Sequence, residues 1–109
     1  MSCGKQYKKL GVTIDRAQKW VAEDWRNKSK PVDEHLELLF LMEEIGEMAE
    51  MIRKQAGKKE RKKLTIDLEK EMGDILICLM TLANRYHIDL EKAFLKTKNK
   101  IERRHKNGY

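Results

Sequence analysis

At 109 residues, 40% of them hydrophobic and 39% charged, the chain is long enough for one domain with a modest core and too apolar for a disordered chain. A single proline, six glycines and few aromatic residues argue against an all-β domain, and no apolar run approaches the roughly 18 residues of a membrane span. The net charge of +6 is divided into blocks, with −5 over residues 32–56 and +5 over residues 91–109. A surface for duplex nucleic acid would be uniformly basic. We therefore expect one cytoplasmic domain over residues 1–109, with no membrane partner and with nucleic acid disfavoured.

Apolar residues at helical spacing predict two helices in the first half of the chain. The first is expected over residues 13–28, with Thr13 as its N-cap. The second follows Asp33, another N-cap candidate, continues to about Gln55 and stops at Gly57.

Two more helices are predicted in the second half. The basic segment 58–63 is expected to be a solvated connection, after which Thr65 begins a helix that continues to about Tyr86. Asp89 is the N-cap candidate for the fourth helix, which ends near Lys106. Short connections between four amphipathic helices predict an all-α, four-helix bundle-like fold.

The second and third helices each carry an acid pair at i, i+3: Glu44 with Glu47, and Glu71 with Asp74. Each pair interrupts an otherwise apolar stripe, which includes Phe40 and Met51 on the second helix and Leu64, Leu68, Ile75, Cys78 and Leu82 on the third. Because residues three apart are neighbours on a helix, packing of the two stripes is expected to bring four carboxylates together in the interior.

Four ionised carboxylates in an apolar interior need a compensating charge, since burying one isolated charge costs several kcal/mol and like charges repel. Neither stripe has Lys or Arg at these turns. Mg²⁺ and Mn²⁺ prefer oxygen ligands, so the pattern predicts a site for one or two such ions. The alternative is that the acids lie exposed at the edges of the stripes. A di-iron site is disfavoured because it needs Glu-x-x-His on two helices, and the histidines lie elsewhere: His35, His87 and His105.

The segments EEIGE at 43–47 and EMGDIL at 71–76 resemble the EExxE…ExxD signature of the MazG-type all-α nucleoside triphosphate pyrophosphohydrolases. The resemblance extends to IDLEKAF at 88–94 and KTKNKIERRH at 96–105, and it covers roughly residues 33–106. It implies hydrolysis of a nucleoside triphosphate between the α and β phosphates, giving a monophosphate and pyrophosphate. Mg²⁺ is the implied cofactor, with Mn²⁺ as an alternative.

The resemblance also implies roles for the acids: the metal ligands would be Glu44, Glu47, Glu71 and Asp74. Glu43 and Glu47 are the candidate catalytic residues. Because Glu43 points about 100° away from Glu44 on the helix, it would orient the attacking water or act behind the ligands.

Basic residues of the fourth helix are the candidate phosphate contacts. Lys96, Lys100 and Arg103 share one face, and cations at this end contact phosphates in the family that the chain resembles. Lys98 and Asn99 are ambiguous because the family's asparagine aligns only to within one residue. A solvated basic tail is an equal alternative.

The sequence says less about which base the chain recognises and how the chain assembles. Trp20 is a candidate for stacking on a base, as is Trp25, but both equally suit a core or an interface. The family includes broad-specificity, dUTP, dCTP and phosphoribosyl-ATP hydrolases, and no residue selects among them. It assembles through helix packing, so we expect a homodimer or homotetramer.

A non-catalytic helical module that binds nucleic acid or a protein partner is the competing hypothesis. It predicts that replacing Glu44 or Asp74 with Ala leaves function intact. The enzyme hypothesis predicts loss of Mg²⁺ binding and of turnover, with the fold preserved.

Overall fold

The structure, a computed structural model, describes residues 11–25, 33–55 and 61–106, without the side chains of Trp25, Arg61 and Lys62. Every regular element in these ranges is helical: α1 (Ile14–Trp20) with a π-helical continuation (Val21–Trp25), α2 (Glu34–Gln55), α3 (Arg61–Arg85) and α4 (Leu90–Lys106). The predicted all-α class is confirmed. None of these helices is long and apolar enough to cross a membrane.

The helices belong to two compact units. The first contains α1, its π-helical continuation, the end of α3 from Ala83 onward, and α4, and within it α1 packs against α4. The second contains α2 and α3 up to Leu82. The acid pairs lie in the second unit and the basic face of α4 lies in the first.

All three predicted N-caps are confirmed. Thr13 Oγ1 accepts from the Arg16 N–H at 3.1 Å, Asp33 Oδ1 accepts from the Leu36 N–H at 2.9 Å, and Asp89 Oδ1 accepts from the Lys92 N–H at 3.1 Å. Each bond satisfies one of the backbone donors that the first turn of a helix leaves without a partner. The starts of α1, α2 and α4 are therefore encoded locally.

One predicted boundary is wrong. The third helix already includes Arg61, four residues before Thr65, because Lys, Arg and Glu are good helix formers and no Gly or Pro intervenes. The first helix, predicted over residues 13–28, is helical from Ile14 to Trp25, with a π-helix from Val21 onward. Residues 26–28 and 56–60, which include Gly57, lie outside the described part of the chain.

The chain leaves α3 through a Schellman turn with His87 in the left-handed region. The Ile88 N–H donates to the Ala83 carbonyl at 2.9 Å and the His87 N–H to the Asn84 carbonyl at 3.2 Å, and His87 has a φ of 55°. Glycine is the usual residue at this position because a Cβ is strained there.

Replacing His87 with Gly is expected to raise the free energy of unfolding by roughly 0.5–1 kcal/mol, since relief of the strain exceeds the added freedom of the unfolded chain. Urea denaturation measures this change. His87→Ala keeps the Cβ and should give no gain. A loss of stability in His87→Gly would mean that the imidazole makes a contact worth more than the strain.

Candidate functional site

Helices α2 and α3 run antiparallel in the second unit. The carboxylates of Glu44 and Glu71 lie together, and seven residues further along each helix, in opposite directions, Glu37 lies close enough to Cys78 to influence its thiol. Half-buried apolar side chains lie on the same faces as Glu44 and Glu71: Leu41, Met48 and Met51 on α2, and Leu64, Leu68, Ile75 and Leu82 on α3. The two predicted stripes therefore face each other.

Three of the four predicted carboxylates form a cluster. One oxygen from each of Glu44, Glu47 and Glu71 lies within 4.8 Å of the others. Glu71 is only 6% exposed, Glu44 is half-buried, and Glu47 is exposed. Asp74 is also exposed and does not belong to this set.

The expectation that all four acids lie in the interior is thus wrong for Glu47 and Asp74. Three residues advance a helix by about 300°, so the second acid of each pair lies about 60° from the first, toward the edge of the face. Phe40, on the same edge as Glu47, is likewise 43% exposed. The cluster consequently opens toward solvent on one side.

Glu71 is the buried carboxyl group of the cluster, and its pKa is raised by the other two. Its Oε1 is buried and has no hydrogen-bond partner among the described residues. The pKa of Glu71 is raised to about 7, first by hydrogen bonding with Glu44, then by burial, and then by the charges of Glu44 and Glu47. Two ionised carboxylates can only accept hydrogen bonds and repel each other, so the pair of Glu71 and Glu44 holds one proton more tightly than a free carboxylate does.

A divalent cation fits this donor set. Oxygens bound to one Mg²⁺ lie roughly 3–4 Å apart, so the cluster needs little closure to hold an ion. Such an ion would replace the shared proton and give the orphaned Glu71 oxygen a partner. The three carboxylates offer hard oxygen donors, which suit Mg²⁺ or Mn²⁺ better than softer metals.

Comparison with known proteins agrees with this geometry. Residues 33–109 match the model of the MazG nucleotide pyrophosphohydrolase domain. The chain belongs to this family. It is 38% identical over 71 residues to the uncharacterized protein YpjD of Bacillus subtilis (strain 168), an alignment that covers 63% of this chain and 64% of YpjD. The aligned part thus spans just under two thirds of that relative. No solved structure matches the chain.

The remaining candidate residues do not belong to the carboxylate cluster. Glu43 is exposed on α2, next to the cluster but not part of it. Lys96, Lys100 and Arg103 are exposed on α4, in the first unit. Trp20, before the start of the match, is half-buried at the end of α1. Their roles stay predictions.

Sequence reasoning passed over Glu37, which is buried on α2 two turns before Glu44. The pKa of the Cys78 thiol is raised first by burial and then by the charges of Glu44, Asp74 and Glu37. The i, i+7 spacing of Glu37 and Glu44 was the available signal, since it places both on one helix face. The negative potential therefore extends beyond the four motif acids.

Proposed function

We propose that the chain is a Mg²⁺-dependent nucleoside triphosphate pyrophosphohydrolase that releases a nucleoside monophosphate and pyrophosphate. The observation that carries the proposal is the Glu44–Glu47–Glu71 cluster, with its buried orphaned oxygen, inside a domain of the MazG family. A structural cluster of like charges without a ligand would only destabilise the fold. The expected location of the protein is the cytoplasm.

Glu44, Glu47 and Glu71 would hold the metal in this proposal, with Asp74 as a further ligand contributed from the exposed edge. A bound Mg²⁺ would neutralise phosphate charge and lower the pKa of a water molecule that it binds. Mn²⁺, which also prefers oxygen ligands, is the alternative ion.

The remaining roles belong to side chains of the chain itself. Glu43, exposed beside the cluster, would accept a proton from the attacking water or orient it. Lys100 and Arg103, with Lys96, would neutralise phosphate oxygens, and Trp20 would contact the base. These assignments are supported by the family resemblance.

The test is pyrophosphate release from a panel of ribo- and deoxynucleoside triphosphates, with Mg²⁺ and with EDTA. Release that requires Mg²⁺ and is lost in Glu47→Ala supports the proposal, and the panel identifies the preferred base. Glu50→Ala is the matched control, because Glu50 lies on the same helix and pairs with Arg53 at 2.6 Å on the surface. Equal loss in both variants would contradict a specific role for Glu47.

The competing function is a non-catalytic helical module that binds nucleic acid or a protein partner. The exposed, basic α4 is the feature that favours it. Binding that survives replacement of Glu44 with Ala, without release of pyrophosphate from any triphosphate, would support this alternative.

We also propose a homodimer or homotetramer built on a second apolar face of the α2–α3 unit. Seven large side chains on this face are each between 41% and 60% exposed: Leu38, Met42, Ile45 and Ile52 on α2, and Met72, Leu76 and Leu79 on α3. Their spacing follows a heptad pattern, with Ala49 completing the α2 series. Each series lies about 100° from the face that packs against the other helix, and in an antiparallel pair these rotations place both series on the same side.

The area of this face suits a second copy. Seven side chains about half exposed offer on the order of 600 Å² per copy, or ~1,200 Å² in a symmetric pair, which is at the lower end of stable interfaces. Among the described residues the buried apolar side chains are Val21, Met80 and Ala83. Covering the exposed face would therefore add substantially to a small core.

Replacing Leu76 with Glu is expected to dissociate the oligomer, because a carboxylate in a closed apolar interface costs on the order of 3 kcal/mol or more. Sedimentation velocity measures the change. Ile66→Glu is the control, since Ile66 is 59% exposed on the same helix but lies off this face. A monomeric wild type, or equal dissociation in both variants, would contradict the assignment.

A further inference from the structure

Gln18 is a buried amide on α1 that joins the end of α3 to the start of α4. It is 8% exposed. Its Nε2 donates to Asn84 Oδ1 at 2.9 Å and to the Ile88 carbonyl at 2.5 Å, and its Oε1 accepts from the Leu90 N–H at 3.0 Å. Asn84 Nδ2 donates in return to the Gln18 carbonyl at 3.2 Å. Both ends of the Gln18 amide are therefore satisfied within this network.

The bond to Leu90 ties the direction of α4 to α1. Leu90 is the first residue of α4, and its N–H is one of the donors that a helix leaves without an internal partner. Asp89 caps the helix through the Lys92 N–H, while Gln18 supplies an acceptor from a different helix. An apolar side chain in place of Gln18 would leave the Ile88 carbonyl and the Leu90 N–H without the hydrogen bonds that Gln18 supplies.

The network holds the first turn of α4, so a small tilt there produces a larger displacement further along the helix. Lys100 and Arg103 lie 10 and 13 residues after Leu90, or roughly 15–20 Å along the helix at 1.5 Å per residue. A tilt of about 10° at the start of α4 would move their backbone by roughly 3 Å, which exceeds the tolerance of a hydrogen bond. Gln18 also precedes residue 33, where the family match begins, so the motif carries no information about it.

We propose that Gln18 is a positioning residue for the phosphate-binding cations of α4. The inference depends on the proposed function for its assignment of Lys100 and Arg103 to phosphate contacts. Gln18 touches neither cation in the role assigned to it, because it acts by holding the α3–α4 turn and the first turn of α4.

The experiment measures binding of inorganic triphosphate to the full chain by calorimetry, in EDTA so that no divalent metal contributes. Four proteins form a double-mutant cycle: wild type, Gln18→Met, Lys100→Ala and the double variant. Gln18→Met is expected to raise Kd about tenfold in the wild-type background and by a clearly smaller factor in the Lys100→Ala background, where Arg103 is the cation still to be positioned. Temperatures are chosen at which circular dichroism reports every variant folded.

Thr13→Ala is the structural control. It removes the N-cap of α1, whose Oγ1 accepts from the Arg16 N–H, without touching the Gln18 network. It should lower the melting temperature and leave the Kd for triphosphate unchanged. If Gln18→Met does not fold, Asn84→Ala replaces it, because it removes both bonds between the Asn84 side chain and Gln18 and keeps the Gln18 bonds to Ile88 and Leu90. A smaller loss of affinity is then expected, again larger where Lys100 is present.

The inference is overturned if Gln18→Met binds triphosphate like the wild type, if its loss is equal in both Lys100 backgrounds, or if Thr13→Ala weakens binding as much. Pyrophosphate release is measured in parallel. Coupling between Gln18 and Lys100 without release from any triphosphate would sustain this inference and contradict the proposed function. Mg²⁺-dependent release without coupling between Gln18 and Lys100 would support the proposed function and contradict this inference.

Discussion

Replacing Glu71 with Gln is expected to lower Mg²⁺-dependent pyrophosphate release about 10³-fold or more while raising the melting temperature of the metal-free protein. The loss follows because a neutral amide cannot balance the cation, whose contribution to charge neutralisation is worth several kcal/mol. The gain in stability follows because Glu71 is buried against two other carboxylates, and an amide removes that repulsion and donates a hydrogen bond to Glu44.

Glu69→Gln is the matched control for this experiment. Glu69 lies on the same helix two residues earlier, is exposed and does not belong to the cluster. It should change neither activity nor melting temperature appreciably. A Glu71→Gln protein that is less stable without metal would mean that the Glu71 carboxyl makes a favourable contact in the fold. A fully active variant would remove Glu71 from the metal site.

Metal affinity is expected to fall about tenfold for each pH unit below pH 7, because the proton shared at Glu71 must leave before a cation binds. The stability of the metal-free protein should instead fall as the pH rises. The pKa of Glu71 is about 7 in the folded chain against an ordinary value of 4.5 for a glutamate, so the folded state holds the proton more tightly than the unfolded state. This contribution to stability is fully present below pH 4.5 and is lost as the pH rises through 7.

Two measurements check the pH dependence. Calorimetric titration with Mg²⁺ near pH 6, in buffers of different ionisation enthalpy, should report release of close to one proton per cluster. Melting temperatures of wild type and Glu71→Gln between pH 5 and 8, in EDTA, should diverge as the pH rises, since only the wild type titrates at this position. Parallel curves, or no proton release, would contradict the raised pKa.

The sequence by itself determined the helices and the arrangement of acids along them. Side-chain oxygens at Thr13, Asp33 and Asp89 cap helices through local bonds, so three helix starts were predictable from neighbouring residues. The i, i+3 acid pairs within apolar stripes predicted that two helices face each other, because helical periodicity is a property of the backbone alone. The start of α3 was missed because a lysine-rich segment is polar whether it forms a loop or the first turn of a helix, so its composition does not distinguish the two.

Only the tertiary structure decided which acids are buried and what holds the turns. The 60° offset within each pair leaves Glu47 and Asp74 exposed while Glu71 is buried, and that difference depends on how far the facing helix covers each edge. Gln18 and Asn84 are 66 residues apart, and nothing local distinguishes either from a surface amide. The raised pKa of Glu71 has the same origin, because it requires the carboxylates of Glu44 and Glu47 to approach from another helix. Periodicity is local, whereas burial and charge proximity are set by partners distant in the chain.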